Sequence, residues 1–310
     1  MLNWSNVSET GESNAERLSG VLVVDKPGGW TSHDVVNKIR RVAGTRKVGH
    51  LGTLDPMATG VLPLLIGRAT RLAQFFSKAD KVYEGTIQFG FSTDTYDAEG
   101  TPASEEVPVC LQQSLVEQLL KGFIGRVRQV PPPVSAKKVQ GTRAYKLVRQ
   151  NIEVNLDAVD VDIHSVDLLR CEGNEIDVRI HCGSGVYVRS IAHDLGRQVG
   201  CGAFLKTLRR LSSGGFDLAM SHTLEQLVAL ADGGKVADVL IPAADLLPEF
   251  PSEQVDAATA VFIRQGRDFR VSPFRQRAEA KYVKAVSSDG DLLAIGEARL
   301  PNLYHPILVL

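Results

Sequence analysis

What the 310-residue chain lacks narrows the reading first. It has only four cysteines, Cys110, Cys171, Cys182 and Cys201, and none stands in a CxxC pair. A disulfide framework or a thiolate zinc cage is therefore not expected, and free thiols are. Its seven histidines show neither HxxxH nor HExxH spacing, so no metal is expected and nothing calls for a cofactor. No apolar run approaches the roughly 18 residues that cross a bilayer, which leaves no membrane partner. Residues 1–19 are polar and slightly acidic, without the basic start and apolar centre of a signal peptide. A flexible tail on a cytoplasmic protein is the expectation there. Internal repeats and low-complexity blocks are absent.

Charge of one sign is scarce overall, since the formal net charge is −1, yet it is unevenly spread. Lys121, Arg126, Arg128, Lys137, Lys138, Arg143, Lys146 and Arg149 follow one another without an acid. Lys38, Arg40, Arg41, Arg46 and Lys47 form a second basic run. The acids Glu153, Asp157, Asp160, Asp162, Asp167, Glu172, Glu175 and Asp177 are interrupted by Arg170 alone. Such segregation lets a near-neutral protein present one electropositive face to phosphates.

Periodicity outlines the elements. Val21 to Val24 reads as a strand, and Thr31 or Ser32 caps a helix carrying Val35, Ile39 and Val42 at helical spacing. Residues 83–89 alternate as a strand with Tyr83, Ile87 and Phe89 on one face. Residues 92–107 read as a polar loop, 111–123 as a helix, and Pro131 to Pro133 as a break. Another strand carries Ile176, Val178 and Ile180 and runs on through Tyr187 and Arg189, which alternation would point to the same side. A helix with Ile191, Leu195 and Val199 then closes at Gly200. Strands and helices without βα alternation predict an α+β fold. Composition shifts near Pro248 to Pro251, and short strands around Asp289-Gly290 suggest a small β barrel.

The segment richest in chemistry is Gly49-His50-Leu51-Gly52-Thr53-Leu54-Asp55-Pro56-Met57-Ala58-Thr59-Gly60. Gly49, Gly52 and Gly60 allow angles or close approaches that side chains forbid, and Pro56 biases Asp55 toward an extended backbone. The apolar run Val61 to Ile66 follows as a buried strand. An isolated Asp-Pro would do no more than open a turn. The whole string, however, resembles the catalytic motif of the TruB family of tRNA pseudouridine synthases, and the similarity runs from about Gly20 to Leu247.

That resemblance implies a pseudouridine synthase fold: a mixed, largely antiparallel sheet flanked by helices over 20–249, with a basic RNA-binding insertion at about 121–150. Residues 250–310 would form a small β-rich, PUA-like RNA-binding domain. It implies that Asp55 is the catalytic carboxylate. Arg189 would pair with it and hold it ionised by depressing its pKa. Tyr83 would stack on the uracil with its hydroxyl free for proton transfer, Tyr187 and Leu208 would line the base, and His50 would fill the gap left by the flipped nucleotide. Lys137, Lys138, Arg143 and Arg209 fall to the substrate RNA. One well-placed acid suffices, because the detached uracil is itself the next reactant. The implied partner is the T-arm of tRNA, with no guide RNA and no obligate protein partner. A guide-dependent relative and a tRNA chaperone without essential catalysis stay open as alternatives. Asn151, where Gly is common in the family, is a small departure.

Overall fold

The structure is a computed structural model that describes residues 18–310 apart from 136, 140, 145, 146, 148, 149, 151, 153–155 and 273–279. Most of the expected tail, together with Lys146, Arg149, Asn151, Glu153, Arg275 and Arg277, lies outside the described residues. Ser19, assigned to the tail, is tied in: its hydroxyl accepts from the Ala69 amide at 3.1 Å and its carbonyl from Ala243 at 3.1 Å.

The chain runs β1 (Gly20–Lys26), α1 (Ser32–Val42), β2 (Val48–His50), β3 (Thr59–Ile66), a 3₁₀ segment (Gly67–Phe76) and β4 (Lys81–Phe89). It continues through α2 (Gln113–Lys121), β5 (Gly125–Gln129), β6 (Lys138–Val139), β7 (Thr142–Arg143), β8 (Val159–Glu172), β9 (Glu175–Cys182), α3 (Val188–Val199) and β10 (Ala203–Ser213). After β11 (Phe216–Asp217), α4 (Leu224–Asp232) and β12 (Ile241–Pro242) come β13 (Ser252–Gln254), α5 (Ala257–Arg264), β14 (Phe269–Arg270), β15 (Tyr282–Val286), β16 (Leu292–Leu300) and β17 (Leu303–Val309). The large sheet has the order β12-β1-β3-β10-β4-β9-β8-β5, with β2 added to β3 and β11 to β10. The β3–β10 contact is parallel and the other pairings in this sheet are antiparallel. A second sheet has the order β13-β15-β16-β17-β14. The fold is thus α+β, mixed and largely antiparallel, with a small β-rich sheet at the C-terminal end.

The sequence patterns follow from which faces are covered. Leu22, Val24, Leu62 and Leu64 pack with Val35, Ile39, Ile191 and Leu195 of the helices. Val21, Val23, Val61 and Leu65 pack on the opposite side, against Leu292, Ile295 and Leu308 of the second sheet. Strands β1 and β3 are therefore buried on both faces and read as unbroken apolar runs. Strand β4 is covered on one face only, and its Tyr83, Gly85, Ile87 and Phe89 are buried while alternate residues are half-exposed. Proline fits inside β3 because the Pro63 carbonyl accepts from Leu51 on the β2 side; its missing amide donor faces that same irregular edge, away from β1.

Some local expectations hold and others change. Helix α1 has its cap at Thr31, and Asp34 completes a capping box: its Oδ2 accepts from the Thr31 amide at 3.1 Å while Thr31 Oγ1 accepts from the Asp34 amide at 3.1 Å. Helix α5 appears where only strands had been expected; Val261 and Phe262 are exposed on it, which blurs the helical period. Gly52 and Gly60 have φ of 105° and 98°, but Gly49 needs neither a positive φ nor a close approach. At Gly60 an added Cβ would run into the Arg210 carbonyl across the β3–β10 contact. Gly60→Ala should accordingly lower stability by about 2 kcal/mol or more. A thermal denaturation midpoint indistinguishable from wild type would contradict this packing.

Candidate active site

Asp55 sits on a turn whose conformation is fixed locally and then fastened to the β1–α1 connection. Its carbonyl accepts from the Ala58 amide at 3.1 Å, so Pro56 occupies the second turn position, where a fixed φ costs nothing. Ser32, buried, donates from Oγ to the Leu54 carbonyl at 3.1 Å and accepts from the Leu54 amide at 2.8 Å. The Pro56 carbonyl receives the Gly29 amide at 2.9 Å and the Lys26 ammonium at 3.0 Å. Lys26 is fully buried, and its remaining hydrogen bonds go to the Pro27 and Trp30 carbonyls. Burial lowers its ammonium to about 8, opposed by the charge of Asp55, so it remains largely cationic at neutral pH.

Arg189 reaches this turn from α3. It is not a strand residue: α3 begins at Val188 with Tyr187 as its N-cap, so the strand ends earlier than alternation suggested. Gln129 on β5 explains the position, donating from Nε2 to the Tyr187 carbonyl at 3.0 Å and accepting from the Tyr187 amide at 2.8 Å. The Arg189 guanidinium, 4% exposed, donates from Nη2 to Asp55 Oδ1 at 2.9 Å and sets Nε 2.9 Å from Asp55 Oδ2. Nη1 faces Asp97 Oδ2 at 3.1 Å and donates to the Thr95 carbonyl at 3.1 Å, while Nη2 also donates to the Val134 carbonyl at 3.0 Å. A planar fork with its donors spent in this way has little freedom left.

The two carboxylates on Arg189 are not equivalent. The Asp97 side chain is 5% exposed and also accepts from Thr95 Oγ1 at 2.6 Å and the Glu99 amide at 3.1 Å. The Asp55 side chain is 32% exposed. Burial lifts the Asp55 carboxyl above the usual carboxylate value; Arg189 pulls it back, and Asp97 adds a like charge that pushes it up again. The expectation of a depressed value is overturned, because desolvation outweighs the guanidinium.

Tyr83 stands on β4 with Arg210 opposite on β10 and Ile180 opposite on β9. Burial raises its phenol, which stays protonated with the Arg210 guanidinium beside it. Arg210 is fully buried, donating from Nε to the Val61 carbonyl at 2.7 Å and from Nη2 to the Gly52 carbonyl at 3.2 Å. It thereby joins the Asp55 loop to β10. Leu208 is buried and faces Gly85, whose lack of a side chain leaves room for it. The Tyr187 phenol is also raised by burial, with the charge of Asp55 adding to the effect. The structure therefore brings Asp55, Arg189, Tyr83 and Tyr187 together.

The other expected residues stand further out. His50 ends β2, half-buried, in register with Leu64. Lys137 is exposed, and Lys138 pairs with Arg143 in the β6–β7 hairpin. Its first strand starts at Lys138, a short way along the chain from Val134, whose carbonyl is bound by Arg189. Arg209 is held by Asp25, with Nη2 to Oδ2 at 2.8 Å and Nη1 to Oδ1 at 3.1 Å. Lys26, Ser32, Asp97, Gln129 and Arg210 were missed by sequence reasoning. Asp97 lay in a loop read as merely polar, and nothing in its local pattern marks it.

If the ionised Asp55 is the working form, a raised pKa means activity is lost at a higher pH than for an ordinary aspartate, near 4. The acid limb of a kcat/KM profile should lie above that value, and Asp97→Asn, by removing a like charge, should move it lower. A limb below about 4, or one moved upward by Asp97→Asn, would contradict this electrostatic account.

Comparison with known proteins gives concordant matches. Residues 40–188 match the model for the TruB family pseudouridylate synthase N-terminal domain, and residues 189–247 that for the tRNA pseudouridylate synthase B C-terminal domain. The tRNA pseudouridine synthase B of Solibacter usitatus is 57% identical over 293 residues, covering 94% of this chain and 100% of that protein. Its counterpart in Thermobifida fusca is 40% identical over 94% of this chain and 98% of that protein. Among solved structures, a chain of a Cbf5–Nop10–Gar1 complex superposes with a TM-score of 0.67 at 25% identity, over 91% of this chain and 79% of the other. A chain of an H/ACA ribonucleoprotein bound to a substrate RNA containing 2′-deoxyuridine gives a TM-score of 0.67 at 23% identity, over 94% and 84%, a likeness of fold.

Proposed function

The chain belongs to the TruB family of pseudouridylate synthases, and on that footing we propose that it isomerises a T-loop uridine of tRNA to pseudouridine. The observation that carries the reading is a partly open Asp55 carboxylate clamped by a buried guanidinium beside one buried and one half-buried tyrosine. A uridine inside a folded loop reaches such a carboxylate only after leaving its stack. Asp55 then acts on the flipped-out nucleotide as nucleophile or base while the C1′–N1 bond breaks, and Arg189 keeps it aimed. Tyr83, protonated and buried, stacks on the uracil and relays a proton as the base turns and rejoins through C5. Tyr187 and Leu208 close the pocket around the base, and His50 takes the place it vacated in the RNA.

Phosphate contacts fall to Lys137, Lys138 and Arg143 of the hairpin, with Arg209 at the rim. Residues 20–249 act as the catalytic unit and 250–310 as an accessory RNA surface carrying Arg264, Arg267, Arg270, Lys281 and Lys284. One of these is already spent: the Lys284 ammonium is buried and donates to the Ala244 and Leu246 carbonyls, both at 2.8 Å, so it clips the second sheet to the preceding segment. The enzyme works in the cytoplasm on naked tRNA; the stand-alone bacterial relatives, matched over nearly their whole length, favour this over guide-dependent action.

Release of tritium from C5-labelled uridine in an unmodified tRNA transcript tests the proposal. Wild type should release it without guide RNA, and Asp55→Asn should release none while binding the transcript about as well. Release by Asp55→Asn above background would overturn the role given to Asp55, and tight salt-dependent binding without release by wild type would favour a chaperone. Tyr83→Phe should bind normally and turn over at least about tenfold more slowly. A near-normal rate would reduce Tyr83 to packing.

A further inference from the structure

Asp80, His164 and His181 bring three ligand atoms within 4.8 Å of one another, at the end of the large sheet where β4 begins and β8 meets β9. We propose that this cluster is a binding site for a divalent transition metal, with zinc as the fitting ion, separate from the Asp55 pocket. No spacing in the sequence foretells it, because the residues come from three different places in the chain.

The backbone explains how they meet. His181 on β9 pairs with Val82 on β4 and with Ser165 on β8. The β8–β9 register slips between Ile163 and Ser165, so His164 is the extra residue of a bulge. A bulge of this kind re-aims one side chain without moving its neighbours. His164 and His181 stand with ring centroids 4.7 Å apart, and Asp80 lies beside both. The faces of the strands keep the cluster apart from the catalytic pocket: Cys182 and Ile180, which flank His181, are buried in the core that holds Tyr83, whereas the His181 side chain is 44% exposed.

The distances approach those of coordination, and an ion would draw the ligand atoms in from a spread of at most 4.8 Å. Ligand atoms about 2.0–2.1 Å from a tetrahedral ion are about 3.3–3.4 Å apart. His164 Nε2 lies 3.3 Å from Asp80 Oδ1, and His181 Nε2 lies 3.7 Å from Asp80 Oδ2. Two imidazoles and a carboxylate are a donor set for zinc and its neighbours in the first transition row, not for magnesium or calcium. With three protein ligands the fourth position is left to water, which reaches the cluster because all three side chains are partly exposed. Nearby cations do not oppose an ion. Arg179, two residues along the same strand face, is held by Glu84 at 2.6 and 2.8 Å, and the Lys81 ammonium is turned to the Ala79 carbonyl at 2.7 Å.

Titration of zinc chloride into the metal-free full-length protein, followed by calorimetry, tests the site, with cobalt(II) absorption as a second readout. Wild type should bind one ion at this site, and His164→Ala and His181→Ala should each weaken it by more than about tenfold, the least that even outer partners of a metal cost. Asp80→Asn should weaken it as well. All three variants should retain wild-type pseudouridine formation without added metal, which shows that they fold. Cobalt should give visible d–d bands without the near-ultraviolet thiolate band that a cysteine site would produce. Zinc affinity unchanged in the His164→Ala/His181→Ala double variant would overturn the proposal, as would a cobalt thiolate band accounting for all the bound metal.

Discussion

The guanidinium of Arg189, shared between Asp55 and Asp97, is the interaction on which the rest of the site depends. A buried guanidinium without its carboxylates, or either carboxylate without it, would carry an uncompensated charge worth several kcal/mol. The chain therefore has to bring the 55 turn, the 97 loop and the start of α3 to one point. Gln129 sets where α3 begins, and Ser32, Lys26 and Gly29 set where the turn lies. Asp97 is withdrawn from solvent and Asp55 left partly open, so the same cation anchors one acid and presents the other.

A second constraint is the overall charge of −1. The basic stretch after Lys121 and the acidic stretch that ends at Asp177 are not on opposite sides of the molecule. They meet on adjacent strands, where Arg126 and Arg128 stand in register with Asp162 and Asp160, and Arg126 pairs with Asp160 at 3.0 Å. Part of the basic run is thus neutralised by its neighbour. The β6–β7 hairpin comes next in the chain, a short way beyond the Val134 carbonyl held by Arg189.

The elements that could be foretold were those whose local pattern and final environment agree. Strand β4 alternates because one face is covered; β1 and β3 run apolar because two are; α1 begins where Thr31 can cap it and α3 closes at Gly200 with φ of 89°. The site was legible where one contiguous motif carries it, as around Asp55. It was illegible where partners are brought in by tertiary structure: Asp97 from a polar loop, Gln129 from a strand end, Arg210 hidden behind the more conspicuous Arg209. Strand alternation mispointed Arg189 because the hydrogen bonds of a distant glutamine, and not local periodicity, decide where that helix starts. The direction of the Asp55 shift was missed for a similar reason, since neither burial nor the like charge of Asp97 is written in the neighbouring sequence.

The most direct test of this account is the single-turnover rate of Arg189→Lys on bound tRNA, measured beside its affinity. Lysine keeps the charge but loses the planar fork that meets Asp55 and Asp97 together. If aiming of Asp55 by that fork is central, the rate should fall by about 100-fold or more while affinity stays within a few-fold of wild type. A rate within about threefold of wild type would contradict it, since charge alone would then be enough.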